Sequence, residues 1–151
     1  MKGQPLKITK ALRQVTMWVH PEGPVQGAVF VAVDRAGSEA EDPRSVLNTD
    51  NPFLVLKRHN PDEIRFYNRS SIIRVEYDEA LPQNAEATRL PCTMVMMDGS
   101  IITGRIHECL PPEHARLYDY LNQARDRFIK IYTTENRVCL VNKSYIIQVT
   151  T

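Results

Sequence analysis

Short runs in which apolar and polar residues alternate recur along this chain, each closed by turn-forming residues. Few stretches hold a helical period. Alternation of that kind predicts half-buried strands. The second half reads most clearly. After Pro91, Cys92 to Met97 forms a short apolar run, and Asp98-Gly99 supplies a hairpin turn, since both central positions tolerate positive φ. From Ser100 to about Glu108, Ile102, Gly104 and Ile106 alternate with Ile101, Thr103 and Arg105. A glycine inside such a strand predicts a sharp bend or a close backbone approach. Pro111-Pro112 ends the strand, and Glu113 to Asp126 predicts a helix, with Leu117, Leu121 and Ala124 on one face and acidic Glu113 near its positive start. Strands over 127–132, 137–141 and 145–150 follow.

The first half follows the same plan. Strands over 15–19 and 26–33 are joined across His20-Pro21-Glu22-Gly23-Pro24, and a polar loop runs from Arg35 to Asp42. Asp42 is placed to cap a short helical turn with Pro43 at its first position, ending near Asn48. Strands over 53–57, 64–67 and 71–77 complete the set.

The likeness extends to the letters. Asn68-Arg69-Ser70-Ser71-Ile72-Ile73-Arg74-Val75 is answered by Asn142-Lys143-Ser144-Tyr145-Ile146-Ile147-Gln148-Val149 at a constant offset of 74 positions. Leu47-Asn48 matches Leu121-Asn122 at that offset, Phe53 matches Phe128 one position further on, and Glu22-Gly23 with Gly27 answers Asp98-Gly99 with Gly104. Self-similarity at a fixed period predicts a repeated structural unit. The expected organisation is a basic arm over 1–14, a first module over 15–77, a linker over 78–90 and a second module over 91–151. Modules of roughly 70 residues bury little surface alone, so the two are expected to pack on each other or on neighbouring chains. Five strands twice over, with short turns and a bend glycine, predict a mainly β protein made of two small barrels.

The second module resembles the Sm-like proteins. Asp98-Gly99, Gly104 and Ile106 stand where that family's first signature has a turn, a glycine and an apolar residue. Val138 to Val141, Asn142-Lys143 and Ile146-Ile147 with Val149 resemble its closing pair of strands around a two-residue polar turn, and Asp119 to Asn122 is similar to its acidic–apolar–Asn element. The resemblance covers most of 92–151 and, more thinly, 15–77. Asn142-Lys143 and Asn68-Arg69 replace the usual Arg-Gly, and the helix between the second and third strands of the second module is an addition. The resemblance implies two tandem five-stranded Sm-like barrels. It also implies ligand-reading positions at Asn122 with Asn142 and Lys143, and at Asn48 with Asn68 and Arg69. An asparagine amide suits a base edge, and a lysine or arginine suits phosphate. Turn and cap chemistry alone also accounts for asparagine at each of these places.

Charge narrows the function. The chain has 19 basic and 18 acidic residues, a net charge of +1, and neither half carries a basic excess of more than one. A nucleic-acid binder is expected to show a clear positive surplus. The N-terminal cluster of Lys2, Lys7, Lys10 and Arg13 reads as a solvated arm. Cys92, Cys109 and Cys139 are odd in number and lack a C-x-x-C pair, which predicts neither a disulfide framework nor a zinc site. His20, His59, His107 and His114 are scattered, and no nucleophile elbow or phosphate loop is present. No cofactor, metal or catalytic residue is expected, and no run approaches the ~20 apolar residues of a membrane span. The default location is the cytoplasm. The function expected is therefore non-catalytic: self-association or binding of a protein partner through exposed barrel edges. RNA binding through the Asn-Lys and Asn-Arg turns is the less favoured alternative.

Overall fold

A computed structural model describes residues 10–34, 36–37, 41–123 and 125–151. Most of the expected basic arm, half of the polar loop and Ala124 of the expected helix face lie outside the described residues.

The protein is mainly β. Strands β1 (Lys10–Val19), β2 (Gly23–Ala32), β3 (Phe53–Arg58), β4 (Glu63–Asn68) and β5 (Ile72–Asp78) form the first half. Strands β6 (Thr88–Met96), β7 (Ile101–Glu108), β8 (Phe128–Thr134), β9 (Arg137–Asn142) and β10 (Ile146–Thr150) form the second. Helix α1 (Pro43–Leu47) precedes β3, and α2 (Leu117–Gln123) precedes β8. Asp42 caps α1 by accepting from the Ser45 N–H, as expected of an aspartate there. Strand β1 begins at Lys10, so Lys10 and Arg13 belong to the sheet and not to an arm. The helix expected over 113–126 is shorter. A 3-10 turn at Pro112–His114 comes first, and Tyr120, not a leucine, is its buried anchor, with Leu117 and Leu121 only partly covered.

All ten strands join one antiparallel sheet that does not close, in the order β10-β6-β7-β8-β9-β5-β1-β2-β3-β4. Within each half the order is the same: the fifth strand lies outside the first, followed by the second, third and fourth. The halves meet where β9 pairs with β5, Arg74 facing Val141 and Asp78 facing Arg137.

The core follows from that meeting. Side chains alternate across a strand, and in β9 both faces are covered. Val138 and Leu140 pack with Val15, Met17 and Leu56 of the first half, whereas Cys139 and Val141 pack with Met94, Ile106 and Ile131 of the second. Ile73 of β5 crosses the other way into the second cluster. Each half thus completes its core with side chains from the other, as expected of units too small to bury enough surface alone.

Gly27 and Gly104 occupy matching places. A methyl group on Gly27 would lie 2.6 Å from the Lys57 carbonyl oxygen, and one on Gly104 would lie 2.5 Å from that of Tyr132. Both glycines let the second strand of a half cross closely over the third, which is the close approach the sequence predicts.

Candidate functional site

The junction between the halves holds most of the residues singled out in the sequence. Asn48, at the end of α1, reaches across to β8. Its amide donates to the Phe128 carbonyl at 3.0 Å while its oxygen accepts the Phe128 N–H at 2.8 Å. Asn142 is fully buried and caps the turn after β9 by accepting from the Ser144 N–H. Its amide donates across the junction to the Ile72 carbonyl at 2.9 Å. Tyr145 donates to the Ser70 carbonyl at 2.9 Å. Arg69 is buried beneath α1, where it donates to the Val46 and Leu47 carbonyls, each at 2.8 Å, and to the Asn51 carbonyl. Burial and the neighbouring Arg127 lower its pKa. Lys143 donates to the Leu121 carbonyl at 3.3 Å, the matching contact in the second half.

Asn68 and Asn122 stand apart, both at the surface. Asn68 caps its own turn through Ser70, and Asn122 donates back to the Tyr118 carbonyl at 2.8 Å. The six residues therefore do not converge on one ligand surface: Asn48, Asn142 and Arg69 turn their polar groups inward, while Asn68 lies at the end of edge strand β4 and Asn122 on the exposed side of α2.

Charge pairs between residues far apart in the chain also fasten the junction. Arg44 meets Glu108 at 2.9 Å and Asp126 at 3.5 Å, Arg137 meets Asp78 at 2.8 Å, and Lys130 meets Glu79. Burial opposes the charge on Arg44, but Glu108 and Asp126 outweigh it and raise its pKa. Tyr120 donates to the same Glu108, and burial with that carboxylate raises the phenol pKa. Asn48→Ala removes both bonds to β8 and leaves a half-covered backbone pair unsatisfied, so a loss of about 1–3 kcal/mol is expected in urea unfolding. A midpoint equal to the parent's would place the cohesion of the halves elsewhere.

The outer edges contrast with the junction. Among the described residues, β4 and β10 carry no strand on their outer sides. Ile64 and Phe66 on β4 and Phe53 on β3 are exposed, Phe66 by 70%, yet Val138, Leu140 and Phe128 at the matching places of the second half are fully buried. On β10, Ile147 is 61% exposed where its match on β5, Ile73, is 4% exposed. Unpaired strand edges with apolar side chains are templates for further strands.

Chemistry elsewhere is sparse. Among the described residues no group of three or more His, Cys, Asp or Glu side chains could hold a metal ion. His107 is buried against the edge of Tyr132, while Cys109 lies outside β7, exposed, with Asn84 donating to its sulfur. Among the described residues no helix is long and apolar enough to cross a membrane. Compared with known protein families, characterised proteins and solved structures, the chain matches none.

Proposed function

We propose that this chain is a non-catalytic assembly protein made of two tandem Sm-like modules, the product of an internal duplication, and that it joins further copies of itself head to tail. Strand β4 of one chain pairs with β10 of the next, repeating the β9–β5 junction inside the chain. One observation carries this reading: Val138 and Leu140 on β9 pack into the core of the adjoining half, while Ile64 and Phe66 at the same places on β4 face solvent. The internal register, Arg74 with Val141 and Val75 with Leu140, transfers to Gln148 with Tyr67 and Val149 with Phe66. Burying an exposed Phe or Ile stabilises by about 1.5–3 kcal/mol each, enough for several such side chains to offset the ordering of two subunits.

A contact between two different edges closes into a ring or runs on as a filament. The closed form we propose is three chains, six modules, with a mass three times the 17.3 kDa of one chain. The RNA-binding alternative has weak support, because Arg69 and Asn142 direct their polar atoms to backbone carbonyls. The near-neutral charge also offers little gain from counterion release.

Light scattering on two edge variants tests the proposal. Phe66→Lys disables the β4 edge, Ile147→Lys disables the β10 edge, and each variant alone is expected to be monomeric. Mixed together, the intact β10 of the first meets the intact β4 of the second, so the mixture should stop at a one-to-one dimer. A parent chain that is monomeric at every concentration would overturn the assembly reading. A mixture that stays monomeric while the parent assembles would overturn the head-to-tail pairing.

A further inference from the structure

Internal correspondence also reaches the helices. Arg44 and Asn48 of α1 hold β8 and its approaches, and the matching residues of α2 are Tyr118 and Asn122, both exposed. Tyr118, at 77%, is the most exposed of the large hydrophobic side chains among the described residues. The targets of Arg44 have matches too. Glu108 at the end of β7 corresponds to Val31 at the end of β2, and Asp126 before β8 corresponds to Asn51 before β3. Where the internal junction presents two carboxylates to an arginine, the outer one has a valine buried in its own core and a neutral amide.

Beside Asn51 lies an open groove of about 360 Å³, in which Phe53, Leu54 and Val55 are joined by Lys10, Glu41 and Arg69. Glu41 already accepts from Lys10 and from the Ala32 N–H. An arginine would find no carboxylate at the places that match Glu108 and Asp126, whereas an aromatic ring gains by entering an apolar cleft with a polar rim. The replacement of Arg44 by Tyr118 thus goes together with the replacement of its partners.

We infer that this groove receives α2 of a second copy of the chain. Tyr118 enters between Phe53 and Asn51, and Asn122 turns from its bond within the helix to bridge the N–H and carbonyl of Phe53. Asn48 makes the same two-bond bridge to Phe128 inside the chain. The inference rests on the head-to-tail reading and names the contact that makes the two junctions of an assembled chain chemically distinct. The internal one is fastened by charge, the external one by an aromatic ring. Assembly should accordingly resist salt, since screening weakens exposed ion pairs and leaves apolar contacts intact.

Two measurements on the full chain test it. Tyr118→Lys is expected to weaken self-association at least about thirtyfold by dilution light scattering, as for an aromatic anchor at an interface centre. Thermal unfolding of the monomer should be unchanged, because the side chain is exposed. Separately, chains carrying Tyr118→Cys are mixed with chains carrying Asn51→Cys, both with Cys109→Ser to remove the exposed native thiol, and treated with a short bismaleimide. The pair stands for the 3.5 Å Arg44–Asp126 contact, which spans two side chains and lies beyond the reach of a disulfide, and should be cross-linked between chains. If the parent assembles but Tyr118→Lys associates normally and no cross-linked pair forms, the groove contact is wrong while edge pairing stands. A parent that never assembles overturns both, and a Tyr118→Lys chain that fails to fold leaves the cross-linking experiment to decide.

Discussion

Gly104→Val is expected to destabilise the protein by about 3 kcal/mol or more, since overpacking a tight site costs 1–3 kcal/mol and sometimes more. The β-carbon would lie 2.5 Å from the Ile131 side chain and 2.5 Å from the Tyr132 carbonyl oxygen. A flexible side-chain tip could retreat from that approach, but a carbonyl fixed in a sheet could not. Arg105, next to Gly104, pairs with Tyr132 itself, so moving the carbonyl would part β7 from β8. Gly27→Val should behave alike, because a β-carbon there meets the Lys57 carbonyl at 2.6 Å. Gly99→Ala is the control: its surroundings are open and only its φ of 87° resists a side chain, so about 1 kcal/mol is expected. For a chain of this length 3 kcal/mol corresponds to a melting point lowered by ~6–12 °C. Equal losses at Gly104 and Gly99 would show that conformational preference, not backbone proximity, governs both positions.

The strands were legible because their signals are local. Asp98-Gly99, Gly104 and the alternation of Ile102 and Ile106 can be read from a few neighbouring residues, and each strand lies within a few residues of its expected place. The helix over 113–126 was overdrawn for an equally local reason. Leu117 and Leu121 are one turn apart and read the same in two turns as in four, while Pro111-Pro112 forces a separate 3-10 turn first. Strand order across the sheet was not legible, since no residue on β9 announces that β5 is its neighbour. The same limit hid Arg44, whose carboxylate partners lie at least 64 positions away in the chain. For the candidate ligand residues, spacing paired positions between the halves but carried nothing about the direction in which they face. The constant offset that pairs Asn48 with Asn122 and Asn68 with Asn142 also pairs a part-covered or buried residue with an exposed one, and only the three-dimensional arrangement reveals that difference. Phe66 against Leu140 was present in the letters, but as two apolar residues it carried no contrast.

Arg69→Ala is the second large loss expected, on the order of 3–5 kcal/mol, because several covered acceptors lose one shared charged donor at once. Its guanidinium gathers the carbonyls of Val46 and Leu47 at the end of α1 and that of Asn51 in the following loop. Those acceptors would be left without their donor, and an unsatisfied buried polar group costs about 1–3 kcal/mol. α1 would then lose its seat under Asn48, and with it the bridge to Phe128. Lys143 at the matching position is less covered and is expected to cost about 1 kcal/mol or less when changed to alanine, as for a partly exposed charge contact. A ligand-reading role for the Asn-Arg and Asn-Lys turns requires the reverse: near-parent stability for both variants and a loss confined to binding. Urea unfolding of the two variants, beside fluorescence anisotropy with U-rich and A-rich RNA at ~0.15 M salt, separates the cases. A folded Arg69→Ala chain with parental stability, together with submicromolar RNA binding by the parent that both changes abolish, would displace the assembly reading in favour of RNA recognition.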